Sequence, residues 1–357
     1  MSASRTPSTK TTRRYSRTLL ASVTIILFAV FVSIVQGSFE VGELARSIII
    51  AANRLFPPQT WTNAFSTRPS VNTMANKTPV YFVSHGGPST MFDTAHPVYS
   101  QLEALGREIT EQVKPSAVVV FSAHWQGERP NTIQVNVSEQ EPLLYDFYGF
   151  PRHYYQEKYP NKGSASVAKK VISALNQAGI QTQEAERGLD HGVFVPFKIM
   201  FHPDRNPLTV PIVQVSLFDD DTDAQAHIKL GRAVEKLRGE NILIVASGMS
   251  VHNLRHLMMG RGMGKPMPYA ITFDAALKDA AETKPGDHRD EVMVDLLQRA
   301  DARQAHPTFE HLLPIHIAVG AAGQDQGRQV WTMPEGSMAW AQYRFGQVNS
   351  QVEKSAM

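Results

Sequence analysis

The chain has 357 residues, 42% of them hydrophobic and 19% charged, which is enough for a large core and excludes general disorder. Its net charge of +2 arises from Arg5, Lys10, Arg13, Arg14 and Arg17, all ahead of the first acid, Glu40; the rest is mildly acidic, which argues against a nucleic-acid partner. With no cysteine, disulfides and thiolate ligands are excluded, and only histidines and carboxylates remain for a metal site.

Residues 1–18 form a basic tail. From Leu19 to Val35 the run LLASVTIILFAVFVSIV carries no charge and follows RRYSR. Residues 19–37 are therefore expected to form a single membrane anchor, the tail cytosolic and the folded body lumenal or extracellular. A cleaved signal ending near Gly37, giving a secreted protein, and a mitochondrial presequence are the alternatives. Residues 38–77 read as a stem or linker, with an amphipathic stretch over 41–56 stopped by Pro57-Pro58. Sequons at Asn76 and Asn136 would be open to glycosylation if the body were exported.

Residues 78–350 read as one domain. Apolar runs predict strands over 79–84, 117–122, 211–218 and 241–248. Between them, Leu102, Leu105, Ile109 and Val113 fall on one helical face, and a second helix is expected over about 224–237. Strands alternating with amphipathic helices imply an α/β fold, a mainly parallel sheet covered by helices on both faces. Near the end, Pro314 suits the first turn of a helix running to about Ala322.

In such sheets ligands bind beyond the carboxyl ends of the strands. His85 follows the first strand, His124 lies at the end of AVVVFSAHW, and His252 follows NILIVASGMSV. His191 sits in a loop-like GLDHG, and His311 precedes the Pro314 helix. Any one of them alone fits a packed or capping histidine; together they read as a metal site of imidazole nitrogens. The other eight histidines are left as solvated or structural. The stretch YDFYGFPRHYYQEKYP, from Tyr145 to Pro160, packs a loop on the sheet or lines a pocket for a planar ligand. Arg152 and Arg255 are candidates for holding a substrate carboxylate.

The ordered set SHGGP, FSAHW, YDFYGFP, GLDHG, ASGMSVHNLR and HPTFEHLLP, spread over residues 84–314, resembles the class III extradiol ring-cleavage dioxygenases, in particular the DOPA 4,5-dioxygenase-like branch. The resemblance implies that His85, His124 and His311 bind the metal, with His252 as catalytic base or fourth ligand and His191 against substrate or dioxygen. It also implies a small aromatic diol and dioxygen as substrates. Where many extradiol enzymes use a glutamate, this sequence has His311 with Glu310 alongside. Fe(II) is expected for ring cleavage, and Zn(II) suits an all-imidazole site. Two other readings stand beside it: a non-catalytic zinc-binding or interaction protein on the same fold, and a zinc hydrolase.

Overall fold

Near-continuous apolar runs bury on both faces, and these form the middle of a sheet. A computed structural model describes residues 77–140, 142–259 and 265–348. Its strands are β1 (Val80–Ser84), β2 (Ala117–Gln126), β3 (Thr132–Asn136), β4 (Gln181–Ala185), β5 (Ile212–Leu217), β6 (Ile242–Gly248), β7 (Val251–His252), β8 (Gly327–Trp331), β9 (Pro334–Glu335), β10 (Met338–Ala339) and β11 (Gln342–Phe345). The main sheet runs β4-β3-β5-β2-β6-β1-β11-β8, and β7-β10-β9 form a small second sheet. Strands β5, β2, β6 and β1 are parallel, so their carboxyl ends share one edge. Antiparallel β11 and β8 extend the sheet beyond β1.

The helices of eight or more residues are α1 (Pro97–Arg107), α2 (Ala165–Gln177), α3 (His191–Met200), α4 (Ala224–Val234), α5 (Pro268–Glu282), α6 (Asp287–Asp295) and α7 (Leu313–Ala322). Alternation along β1 separates the two cores. Val80 and Phe82 pack with residues of α2, α4, α5 and α7, while Tyr81 and Val83 pack with α1 and α3. Each side chain so buried contributes about 1.5–3 kcal/mol. Leu102, Leu105 and Ile109 are buried as the spacing predicts, although the helix turns into a π segment over Glu108–Val113.

Helix α7 is buried along its whole length, so its last carbonyls need internal donors. Two arginines supply them. Arg238 donates to Ala321 O and Ala322 O, and Arg289 to Val319 O and Gly323 O. This clamp holds the helix whose amino end carries His311.

The mixed α/β domain with a mainly parallel sheet is as expected, and the membrane helix is not. Residues 19–37 lie outside the described residues, as does most of the 38–77 stem. Among the described residues no helix is long and apolar enough to cross a membrane; the 15 residues of α5 fall short of the roughly 20 that a span needs. The fold class is corrected accordingly, and the single-pass membrane location drawn from that segment is withdrawn. The Asn136 sequon is also corrected. Asn136 is fully buried in β3 and its amide donates to Arg187 O, so a glycan has no access to it.

Candidate metal centre

The shared carboxyl edge of β1, β2 and β6 gathers the site. β1 ends at Ser84, and His85 follows with its backbone N–H on Gly248 O at the end of β6, 3.0 Å away. Gly86 then takes φ +67°, a left-handed angle that glycine adopts without steric cost. His124 lies inside β2, where the strand leaves β6 after Ser122 and pairs again with β5 only at Gln126. That irregular stretch, not a strand terminus, presents its ring. His311 is tied to the same edge by its carbonyl, which accepts from Met249 N at 2.9 Å.

His191 is the first residue of α3. Its neighbour Gly192 permits a close approach to β2, since a Cβ there would lie 2.6 Å from Ser122 Oγ and 2.8 Å from a ring carbon of His124. His252 lies in β7, off the main sheet, and its ring stacks on His311 at 3.6 Å and 14°.

Donor atoms of His85, His124 and His311 all fall within 4.8 Å of one another. In two of the rings Nδ1 is hydrogen-bonded to an acceptor, Gly86 O at 2.7 Å for His85 and Glu310 Oε1 at 2.9 Å for His311, while His124 Nδ1 lies 3.3 Å from Asp146 Oδ2, an ion-pair distance without hydrogen-bond geometry. A ring whose Nδ1–H is engaged carries its lone pair on Nε2. His85 Nε2 is buried with no hydrogen-bond partner, and the Nε2 atoms of His124 and His311 face each other at 3.2 Å.

Two lone pairs at that distance repel unless a proton or cation lies between them. Ligands about 2.0–2.1 Å from a common tetrahedral ion would be about 3.3 Å apart. The donor set therefore fits a metal. Burial and neighbouring imidazoles push the pKa of His124 and His311 well below the ordinary value, and burial, then His191, push His85 down to about 3. Neutral imidazoles are the form that binds metal. Burial, then His311, likewise push His252 well down.

The structure thus brings together all five histidines singled out in the sequence. His252 shares a second cluster with Glu310 and His311, but the cluster of His85, His124 and His311 does not include it. Two flanking groups escaped the sequence reading. Asp146, the one acid of YDFYGFP, bonds both the ring and the backbone N–H of His191. Burial favours its neutral form, yet the His191 hydrogen bonds outweigh this and hold its pKa below the ordinary range. Arg187 donates to His124 O and to Asp190, which is fully buried and also bonded by Ser122 and Gln214. A lone carboxylate among aromatics, and a buried Asp beside a histidine in GLDHG, were the available signals.

The aromatic stretch divides. Phe147 is buried, its ring roughly perpendicular to that of His191 with centroids 5.8 Å apart, whereas Tyr145 and Tyr155 bond backbone carbonyls of their own loop. Tyr148 is 89% exposed. Arg152 and Arg255 are both exposed.

A family model described as the catalytic LigB subunit of aromatic ring-opening dioxygenase matches residues 77–352. A 4,5-DOPA dioxygenase extradiol-like protein of Schizosaccharomyces pombe is 33% identical over 276 residues, covering 73% of this chain and 90% of that protein. A 4,5-DOPA dioxygenase extradiol of Beta vulgaris is 33% identical over 275 residues, covering 74% and 95%. The crystal structure of an uncharacterized Escherichia coli K12 protein aligns with a TM-score of 0.59 at 28% identity, over 76% of this chain and 100% of that one. A family match across the whole described domain, with relatives of this identity and coverage, means that the chain belongs to the class III extradiol dioxygenases, metal-dependent enzymes that open aromatic rings.

Proposed function

We propose that the chain opens the ring of a catechol, DOPA-like in kind, with dioxygen, using Fe(II) held by His85, His124 and His311. The observation that carries this reading is the convergence of three imidazole nitrogens, two of them in rings whose Nδ1 is hydrogen-bonded to an acceptor and the third in a ring whose Nδ1 lies against the Asp146 carboxylate. Three ligands on one side leave positions for two substrates, and a bound Fe(II) supplies the redox chemistry that couples an electron-rich ring to dioxygen.

The chain's own groups then have defined tasks. His252, kept neutral by burial, takes a catechol proton and later returns one. It stacks on His311 and so stands beside the three proposed ligands, and in this reading it takes no ligand place itself. His191, its Nδ1 engaged by Asp146, turns Nε2 toward substrate or dioxygen. Phe147 and the apolar wall behind it exclude water on that side.

The same three nitrogens also suit Zn(II), which has no redox chemistry and would leave the protein a binder or a hydrolase. The test loads metal-free protein with Fe(II) under anaerobic conditions. Oxygen uptake and isotope-labelled dioxygen are then followed over a panel of catechols. One dioxygen consumed per catechol, with both labelled atoms in a ring-opened product, is expected. An ortho-quinone without label, or activity on esters and amides with Zn(II) alone, overturns it.

A further inference from the structure

One carboxylate serves two of the clustered imidazoles. Oδ1 of Asp146 accepts from the backbone N–H of His191 at 2.9 Å and faces its ring Nδ1 at 2.8 Å, while Oδ2 faces His124 Nδ1 at 3.3 Å. A carboxylate offers acceptors only, so His191 turns its Nδ1–H toward Oδ1, and the nearness of Oδ2 favours a proton on His124 Nδ1, at ion-pair distance, with the lone pair on Nε2. For His124 that is the nitrogen 3.2 Å from His311 Nε2.

We propose that Asp146 is a positioning residue that sets the tautomers of His124 and His191 together, and through them both the metal affinity of the site and the aim of the imidazole beside it. The proposal rests on reading His85, His124 and His311 as the metal's ligands. It makes a specific and counter-intuitive statement about substitution. Two N–H groups of His191 hold whatever oxygen occupies the Oδ1 place, so an asparagine keeps its carbonyl oxygen there and presents its NH2 to His124. Donor then faces donor. The imidazole escapes by carrying its proton on Nε2 or by turning away, and either response removes the nitrogen that faces His311. An alanine adds no donor; the His124 side chain is 19% accessible, and water can reach its Nδ1 and accept in place of the carboxylate. The nearly isosteric substitution should therefore harm metal binding more than the truncation, an order that loss of packing alone does not give.

The test uses the full chain, with Zn(II) affinity measured by competition with a chelator for wild type, Asp146→Asn and Asp146→Ala. Asp146→Asn should lose roughly 10–100-fold, the scale for residues that orient metal-binding histidines, and Asp146→Ala distinctly less. Nitrogen-15 NMR of the histidines in the metal-free wild type needs no variant, and should find His124 protonated on Nδ1. The proposal is overturned if Asp146→Asn binds as tightly as Asp146→Ala or wild type, or if wild-type His124 carries its proton on Nε2. Ring opening assayed on the same preparations separates the two readings. The Asn-below-Ala order in the variants, together with wild-type protein that opens no catechol, rejects the dioxygenase function and leaves this inference standing. Ring opening without that order does the reverse.

Discussion

His85 and His311, at the carboxyl edge of the sheet, and His227, His306 and His316, among the helices, are all buried. By most local measures they cannot be told apart. His306 and His316 are pushed down to about 4, chiefly by burial, and His85 to about 3. Each helix-layer ring spends one nitrogen on a backbone carbonyl: His227 on Asp223 O, His306 on Ser250 O, His316 on Met293 O. His85 does the same with Gly86 O, and in His85, His227 and His306 the other ring nitrogen has no hydrogen-bond partner. The difference is where that nitrogen stands. His306 lies against Phe273 and His227 against Phe218, whereas the free nitrogen of His85 belongs to a cluster with two others. A depressed pKa and a half-satisfied ring are thus properties of burial, and convergence is what carries chemistry.

The sharpest way to break that contrast is to delete one ring from each group. His85→Ala should abolish metal uptake and with it ring opening, a loss well beyond the roughly hundredfold typical of a missing proton-transfer group. His316→Ala should keep its metal while unfolding more easily by about 2–4 kcal/mol, the usual range for a cavity in a packed core. Metal analysis and thermal melts of both metal-free proteins decide the matter. A folded His316→Ala protein without metal, or a fully loaded His85→Ala protein, would mean that the two groups are not distinct.

His252 tests the boundary between them, since it stacks on His311 and shares a cluster with His311 and Glu310, but not the one of His85, His124 and His311. His252→Ala should hold most of its metal yet turn over about a hundredfold more slowly, and His252→Gln should follow it because an amide does not titrate. Metal content falling in step with turnover would move His252 into the ligand set.

The same contrast explains what the sequence could reveal. β1, β2, β5 and β6 were legible because strands buried on both faces are apolar runs with no second reading. β4, with the polar sequence QTQEA, and β8, GRQVW, are edge strands that carry little of that signal, so the antiparallel extension of the sheet went unread. The five histidines were legible from their places at or near predicted strand and helix ends. Asp146 was not, because its role depends on a loop folding back across the sheet to meet His191, 45 residues later. The apolar run at 19–35 carried a strong compositional signal, but composition alone did not establish a membrane span.

The smallest effect expected is also the most direct measure of the helix-layer group. Take the ordinary histidine value of 6.5 for the unfolded chain and about 4 for His316 in the fold. Between those values the unfolded state binds the proton and the folded state does not, so unfolding draws protons in and acid favours it. The stabilisation is therefore fully present above about pH 6.5 and is lost progressively as pH falls toward 4. Between pH 7 and pH 5 this one ring should cost roughly 2 kcal/mol of stability. The nearby His227 is also held neutral by burial and adds a contribution of the same sign. His316→Gln keeps an N–H for Met293 O and has no proton to gain, so its stability should fall less steeply over that interval. Urea unfolding of metal-free wild type and variant at pH 7, 6 and 5 gives the comparison, and the site histidines, present in both, cancel in the difference. Parallel pH profiles would show that the His316 ring is no harder to protonate in the fold than out of it. Burial would then not be what keeps these rings neutral, and the likeness between His85 and the helix-layer histidines would rest on some other cause.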